Sequence, residues 1–334
     1  MKGLPFALLT SCLLLTACAA KDEGPDIDTS LYTGKPIDTL TSDAPPLNEK
    51  EAIQRADIAL NNNNFDLALY EYIRSLTFAN AKMKDRSLYN IGRIHQARGN
   101  FPLAEKAYLM AIEENPNNVQ VLEQLGSLYT KSGDVSQGAT YFYRALNADQ
   151  LRLGSNVTVN KHNLIESQKV NTLEIDNASP QVAYIGLGVL EDVKANHELA
   201  QAFYNQALKI NPHSQKALIN VGYSYYMSGD YQLAQRFTLS ALEKDTDNEK
   251  ALNNLALIYL GKGEVKRALN VFQKQMDVPE ALNNVGYFLM LQGQPEKAIP
   301  YLKQAIDKKP TYYRVANENL ERALAMVREE QSEP

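Results

Sequence analysis

The 334-residue sequence contains no tryptophan and only two cysteines, Cys12 and Cys18. Both cysteines lie within the first 20 residues, so the rest of the chain has neither a disulfide framework nor a thiolate metal site. Basic residues are not in excess either, because 34 Lys and Arg face 39 Asp and Glu, a formal net charge of −5. This balance argues against a nucleic-acid-binding protein.

Sequence patterns typical of catalysis are also missing. There is no Gly-x-Ser-x-Gly turn for a serine nucleophile and no glycine-rich loop that a lysine completes into a phosphate site. None of the four histidines has a partner at the spacing of a helical metal pair; they are His95, His162, His197 and His213. We therefore expect no enzyme activity, no cofactor, no metal and no small-molecule substrate.

The N-terminus reads as an export signal. Lys2 is followed by an apolar stretch from Leu4 to Leu15 and then by small residues up to Cys18. A membrane-spanning helix is the alternative, but it needs about 20 apolar residues, and polar residues interrupt this shorter run. The sequence predicts a signal peptide at residues 1–17.

Leu15-Thr16-Ala17-Cys18 resembles the lipobox of bacterial lipoproteins. The resemblance implies that Cys18 is acylated after cleavage and attaches the protein to a membrane. Ala19, in place of an aspartate, implies the outer membrane, with the body in the periplasm. Residues 18–48 are rich in proline and acidic residues and lack apolar periodicity, which predicts a disordered tether.

From residue 49 onward, small residues recur with a period of about 34. They stand at Ala56, Gly92, Gly126, Gly188, Gly222, Ala256 and Gly286. Sixteen residues after each comes a second set, in most copies large, which we expect to fill the gap where two helices cross closely; it consists of Tyr72, Tyr108, Phe142, Tyr204, Thr238, Phe272 and Leu302. Turn glycines separate the two helices in most copies, at Gly99, Gly133, Gly229, Gly263 and Gly293.

These positions resemble the tetratricopeptide repeat, whose pattern is complete in Gly92, Gly99, Ala104, Tyr108, Ala111 and Pro116. The resemblance implies an all-α superhelical solenoid of about seven helix pairs with a C-terminal capping helix. Repeats 1–3 are predicted at 49–152 and repeats 4–7 at 181–312, followed by a capping helix at 313–328 and a tail at 329–334.

The period breaks at residues 153–180, which contain many asparagines and few aliphatic residues. An exposed loop is the expectation for such an insertion. The alternative is that Ile165 and Leu173 dock the insertion against the groove of the repeats.

The first helix of each repeat carries a carboxamide at its sixth position in six of seven copies: Gln54, Asn90, Gln124, Asn220, Asn254 and Asn284, with Gly186 as the exception. An amide donates and accepts hydrogen bonds, as binding a peptide backbone requires. The alternative is polar filling of a solvated helix face.

Apolar residues accompany the amides in the later repeats, and the predicted partner-binding groove comprises Asn90, Asn220, Tyr223, Tyr226, Asn254, Leu257, Asn284, Tyr287 and Met290. Lys216 and Lys250 lack basic companions at the other groove positions, so no basic clamp for a terminal carboxylate is expected.

The combination of lipobox, tether and repeats resembles lipoproteins that assist secretion and pilus machines. The C-terminal runs Ala281–Tyr287 and Gly293–Ala298 are most similar to the TadD family of the Tad/Flp pilus apparatus. This implies a scaffold that helps a pilus secretin or other Tad components to assemble. Two alternatives stay open: a type IV pilus pilotin, and an adaptor resembling NlpI that binds peptidoglycan hydrolases.

Overall fold

The computed structural model describes residues 29–159, 166–309 and 311–332, so the predicted signal peptide and Cys18 lie outside the described residues. Over these ranges the chain forms helices and connections and no strand. The helices are α1 (Glu49–Asn61), α2 (Phe65–Leu76), α3 (Lys84–Ala97), α4 (Phe101–Glu114), α5 (Val119–Lys131), α6 (Val135–Arg152), α7 (Ser167–Asn171), α8 (Gln181–Val193), α9 (His197–Ile210), α10 (Gln215–Met227), α11 (Tyr231–Leu242), α12 (Glu249–Gly261), α13 (Val265–Phe272), α14 (Val278–Leu291), α15 (Pro295–Lys308) and α16 (Arg314–Ser332). In these ranges, none of the helices has the length and apolar character needed to cross a bilayer.

The chain divides into two compact units, residues 1–87 and 88–334. The described part of the first unit contains α1, α2, the start of α3 and a segment of 20 residues before α1. That segment corrects the prediction of a disordered tether, because from residue 29 onward it is folded. Leu31 is only 1% exposed, and Arg55 of α1 donates a hydrogen bond to the carbonyl of Ala44 at 2.7 Å. Such contacts need no apolar periodicity, so the sequence pattern did not indicate them.

The second unit is an array of paired helices. Each first helix packs on the second helix that follows it, as in α5 with α6, α8 with α9, α10 with α11, and α14 with α15. The first helices α5, α8, α10, α12 and α14 also contact one another in sequence. They therefore form one continuous surface, which we call the first-helix face. The prediction of an all-α repeat solenoid is confirmed.

The recurrent small residues sit where the two helices of a repeat meet. A Cβ atom added to Gly92 would lie 2.4 Å from the ring of Tyr108, and one added to Gly126 would lie 2.4 Å from that of Phe142. Real Cβ atoms do not approach so closely, because protein interiors are already densely packed. The expected pairing of a small residue with the larger one sixteen positions later is confirmed at these repeats.

The insertion corrects the prediction of an exposed loop. Its described parts, 153–159 and 166–180, pack against the second helices α6 and α9 and not against the first-helix face. Asn147 of α6 exchanges two hydrogen bonds with the backbone of Val159, at 2.6 and 2.8 Å. Gln150 does the same with the backbone of Glu174, at 2.8 and 3.1 Å. Leu173 is 4% exposed, so it docks, whereas Ile165 lies outside the described residues.

Charged groups strengthen this attachment. Arg152 of α6 lies between two carboxylates and donates to Asp149 at 2.6 Å and to Asp176 of the insertion at 2.6 Å. Hydrogen bonds from Arg152 lower the pKa of Asp176 to about 2. The insertion is thus held by side chains that bond to its backbone and by one bridging arginine.

A carboxylate joins repeats 3 and 4 across the insertion. Oε1 of Glu123, on α5, accepts hydrogen bonds from the amides of Val182 and Ala183 at 2.6 and 3.1 Å. These amides belong to the first turn of α8, where backbone N–H groups have no partner within the helix. Burial nevertheless raises the pKa of Glu123 to about 7.

Helix α16 caps the last repeat, as expected, and extends to Ser332. The apolar residues at helical spacing, Val315, Leu320, Leu324 and Val327, predict its buried side, but Val315 is 45% exposed and the other three are half-buried. Ala316 and Ala323 are fully buried, and Asn319 donates to Oδ1 of Asn283 on α14 at 2.9 Å. Small side chains and one amide pair therefore let α16 approach α14 and α15 closely.

Candidate functional site

The predicted groove residues of the second unit all lie on first helices. On α10, Lys216, Asn220, Tyr223 and Met227 are spaced four, three and four residues apart, which places them on one side of the helix. The corresponding residues of α8 are Val182, Gly186, Val189 and Val193. Repeats 4 and 5 therefore present two neighbouring stripes on the first-helix face.

A pocket of about 280 Å³ lies between these two stripes. Four of its lining residues are exposed and largely apolar: Val193 is 82% exposed, Met227 47%, Tyr223 40% and Val189 36%. Asn220 also lines the pocket and is half-buried. The structure thus brings the predicted Asn220 and Tyr223 together with two valines of α8 that the sequence argument had not included.

The polar floor of the pocket is built around Asp192 at the end of α8. Its Oδ1 lies 2.9 Å from Nδ1 of His197 and accepts a hydrogen bond from Ser224 at 2.7 Å. Its Oδ2 accepts from the hydroxyl of Tyr204 at 2.9 Å. Burial and the nearby Asp192 carboxylate raise the pKa of Tyr204 above its ordinary value. Three donor groups thereby hold the carboxylate in one orientation.

This cluster contains a serine, a histidine and an aspartate, but they are linked in a different order from a hydrolytic triad. In a triad the serine hydroxyl bonds to the histidine, which removes its proton during attack. Here Ser224 donates directly to Asp192. The arrangement fixes the wall of the pocket and does not activate a nucleophile.

Tyr226 is half-buried and lies between two other aromatic rings of the second unit. Its ring centroid is 6.1 Å from that of Tyr223 and 5.9 Å from that of Tyr231. Burial raises the pKa of Tyr226. Tyr226 therefore packs beside Tyr223 and is less accessible to solvent than Tyr223 is.

Among the carboxamides at the sixth position of the repeats, Asn220 lines the pocket, whereas others form hydrogen bonds within the chain. Asn254 donates to the carbonyl of Ile219 in the preceding first helix at 3.2 Å, and Asn284 donates to the sulfur of Met276 at 3.2 Å. Asn90 is only 8% exposed. Asn220 thus remains the predicted asparagine best placed for a partner.

Met290 corrects the predicted list of groove residues. It is 3% exposed and lies with Leu260, which is 1% exposed, in a core cluster formed by α12 to α16. Leu257 and Tyr287 are half-buried, and Tyr287 packs against the same cluster. A partner cannot reach Met290 unless this core opens, whereas its neighbour Leu291 is 63% exposed.

Lys216 has a basic neighbour in the structure that the sequence pattern did not indicate. Lys216 is exposed, but partial desolvation by the surrounding helices lowers its pKa, and the neighbouring charges of Lys131 and Lys250 lower it further. Lys131 stands at the end of α5, two repeats away, so the register of equivalent positions did not relate it to Lys216.

The described residues include no group of three His, Cys, Asp or Glu side chains that could hold a metal ion.

Three family models, all described as tetratricopeptide repeat, match the chain: one at residues 89–152, one at 251–285 and one at 183–214 and 279–312. Similar solved structures include a tetratricopeptide repeat protein from Parabacteroides merdae, with 17% identity, a TM-score of 0.47, and coverage of 83% of this chain and 98% of that one. PilF of Pseudomonas aeruginosa shares 13% identity over 72% of this chain and 96% of its own, with a TM-score of 0.45. PilW, described as a widely conserved type IV pilus biogenesis factor, shares 15% identity over 73% of this chain and 100% of its own, with a TM-score of 0.46. The search of curated proteins found no match.

Proposed function

Because the chain is a tetratricopeptide-repeat protein, we propose that it is a non-enzymatic scaffold that binds protein partners on its first-helix face. The observation that carries this proposal is the pocket between α8 and α10, where exposed apolar side chains surround a rigid polar floor. Contiguous exposed apolar surface of this kind is typical of sites where another protein binds.

The second part of the proposal is that the scaffold is an outer-membrane lipoprotein acylated at Cys18, with its body in the periplasm. The lipobox resemblance supports the attachment. Since the described fold begins at residue 29, covalent geometry limits the distance between Cys18 and the folded body. The intervening peptide units span at most about 40 Å when fully extended. The first unit would therefore stay close to the bilayer.

The third part is the pathway: the resemblance of the C-terminal repeat to the TadD family supports a role in assembling a Tad/Flp pilus secretin. In this role the acyl group would hold the protein at the outer membrane. The first-helix face would then hold a segment of the secretin or of another pilus component until assembly is complete.

The attachment is tested by replacing Cys18 with serine in the native host. We expect an unprocessed precursor that no longer incorporates labelled palmitate. A mature-sized protein that still fractionates with outer membranes would contradict the proposed anchor. The matched control is Cys12→Ser, which removes the other cysteine and should leave processing intact.

The partner is tested with a photoreactive amino acid placed at position 223 of the full-length protein in living cells. Lys209, an exposed residue of the second helix α9, provides the control position. Crosslinking of the secretin from position 223 but not from 209 is the expected result. Specific crosslinking of peptidoglycan hydrolases would instead favour the adaptor alternative, and equal crosslinking from both positions would contradict a binding face on the first helices.

A further inference from the structure

The stripe on α10 has chemically different ends. Lys216 lies at its start, Asn220 one turn later, and Tyr223 and Met227 at its end. With a rise of about 1.5 Å per residue, Lys216 is about 10 Å from Tyr223 and about 16 Å from Met227 along the helix axis. A segment bound along this stripe would meet a cation at one end and an apolar pocket at the other.

The basic end carries charge without local compensation. Lys131, Lys216 and Lys250 are exposed residues, and both Lys131 and Lys250 lie close enough to Lys216 to repel its charge. Among the described residues no ion pair involves any of the three, although the chain as a whole has a net charge of −5. Carboxylate groups brought to this position would relieve the repulsion.

The apolar end accepts one large side chain. Its volume of about 280 Å³ exceeds that of an aromatic side chain, and its walls are Val189, Val193, Tyr223 and Met227. The one carboxylate in this pocket, Asp192, already accepts hydrogen bonds from its own chain. Burying a Phe or Leu side chain here would contribute about 1.5 to 3 kcal/mol.

We propose that the occupant of the α8–α10 face is an internal partner segment with one large apolar side chain and acidic side chains three to five residues away. The spacing follows because an extended chain advances about 3.3 Å per residue, so three to five residues cover the distance from Lys216 to the pocket. Asn220, midway along the stripe, would bond to the backbone of the segment. This inference rests on the proposed function and adds the chemistry of the partner.

The test uses fluorescein-labelled twelve-residue peptides and the detergent-purified full-length protein. One peptide carries a phenylalanine and two aspartates four and five residues away, in either order along the peptide, on a background of Gly, Ser and Ala. Control peptides replace both aspartates with lysine, or the phenylalanine with alanine. We expect the acidic peptide to bind at least tenfold more tightly than the lysine peptide at low salt, with the difference shrinking as salt is added. Replacing the phenylalanine should weaken binding about 10- to 150-fold.

Charge reversal of the protein completes the test. The variant Lys216→Glu/Lys250→Glu should lose affinity for the acidic peptide and gain affinity for the lysine peptide, whereas Lys209→Glu, the matched change on α9, should alter neither. Equal binding of acidic and lysine peptides, or equal behaviour of the two variants, would overturn the inference. If the partner still crosslinks at position 223 in that case, the scaffold function stands and only the proposed chemistry fails. If the acidic preference holds but no partner crosslinks there, the proposed function fails instead.

Discussion

The junction between repeats 4 and 5 differs from the junction between repeats 6 and 7, although equivalent positions contribute to both. At the first junction the twelfth position of the repeat is Asp192, whose polar network lines an open pocket. At the second junction the twelfth positions are Leu260 and Met290, which are 1% and 3% exposed in a core cluster. The first junction thus has a carboxylate and the half-buried Tyr226 at this position, whereas the second has two buried apolar residues.

The comparison shows what repeat register can and cannot predict. Register determines which side chains point to the same side of successive helices. It does not determine whether they remain accessible, because the neighbouring helices decide how much of that side is covered. In repeat 6 the thirteenth position is Gly261, and a Cβ atom there would lie 2.6 Å from the ring of Tyr231. The equivalent residue in repeat 4 is Val193, which is 82% exposed.

The largest expected effect separates the closed junction from the open one. Leu260→Ala should lower the free energy of unfolding by about 2 to 5 kcal/mol, because it leaves a cavity in a packed core. Met227→Ala, at the open pocket, should change it by no more than about 0.5 kcal/mol. Urea denaturation of the full-length variants measures both. Similar losses in the two variants would show that the pocket is as tightly packed as the core.

A third junction, between repeats 3 and 4, depends on a titrating group. Burial raises the pKa of Glu123 to about 7. A carboxyl whose pKa is higher in the folded state stabilises the fold while it is protonated in that state. Its contribution is fully present below the unfolded pKa of about 4.3 and is lost as the pH rises through about 7.

We therefore expect the stability of the native protein to fall by up to about 3 kcal/mol between pH 5 and pH 8 relative to Glu123→Gln. Glutamine keeps an oxygen that can accept from Val182 and Ala183 but does not titrate in this range. Thermal or urea unfolding at several pH values measures the difference. Parallel pH profiles for the two proteins would mean that Glu123 titrates near its ordinary value in the folded state.

Most of the repeat architecture could be predicted from the sequence, because close helix crossings require small residues and leave a periodic pattern. The pairs Gly92 with Tyr108 and Gly126 with Phe142 follow that pattern. The turns predicted at the glycines have positive φ, from 68° at Gly293 to 93° at Gly133. Asn63 and Ala195 adopt the same conformation in the two repeats where no turn glycine was identified, with φ of 58° and 61°.

The features that could not be predicted depend on contacts without a periodic signature. The insertion is attached by Asn147 and Gln150, which bond to backbone atoms 12 and 24 residues away. Part of the candidate site had a signal in the register, since Val189 and Val193 occupy the positions equivalent to Tyr223 and Met227. The burial of Met290 and the proximity of Lys131 to Lys216 arise from neighbouring helices, and these relations appear only in three dimensions.

The smallest expected effect distinguishes two asparagines at the same repeat position. Asn254 donates to the carbonyl of Ile219, whereas Asn220 lines the open pocket. Alanine is a better helix former than asparagine, so each replacement gains a few tenths of a kcal/mol from the helix. Asn254→Ala also loses a hydrogen bond that contributes about 0.5 to 1.5 kcal/mol. The Ile219 carbonyl can keep its partner within α10, because an oxygen has a second lone pair. The stability lost with the Asn254 hydrogen bond should therefore fall in the lower half of that range.

Asn220→Ala should thus unfold at a slightly higher temperature than the native protein, and Asn254→Ala at an equal or lower one. If the two variants unfold at the same temperature, the Asn254 bond contributes nothing measurable, and both asparagines are equally free to bind a partner.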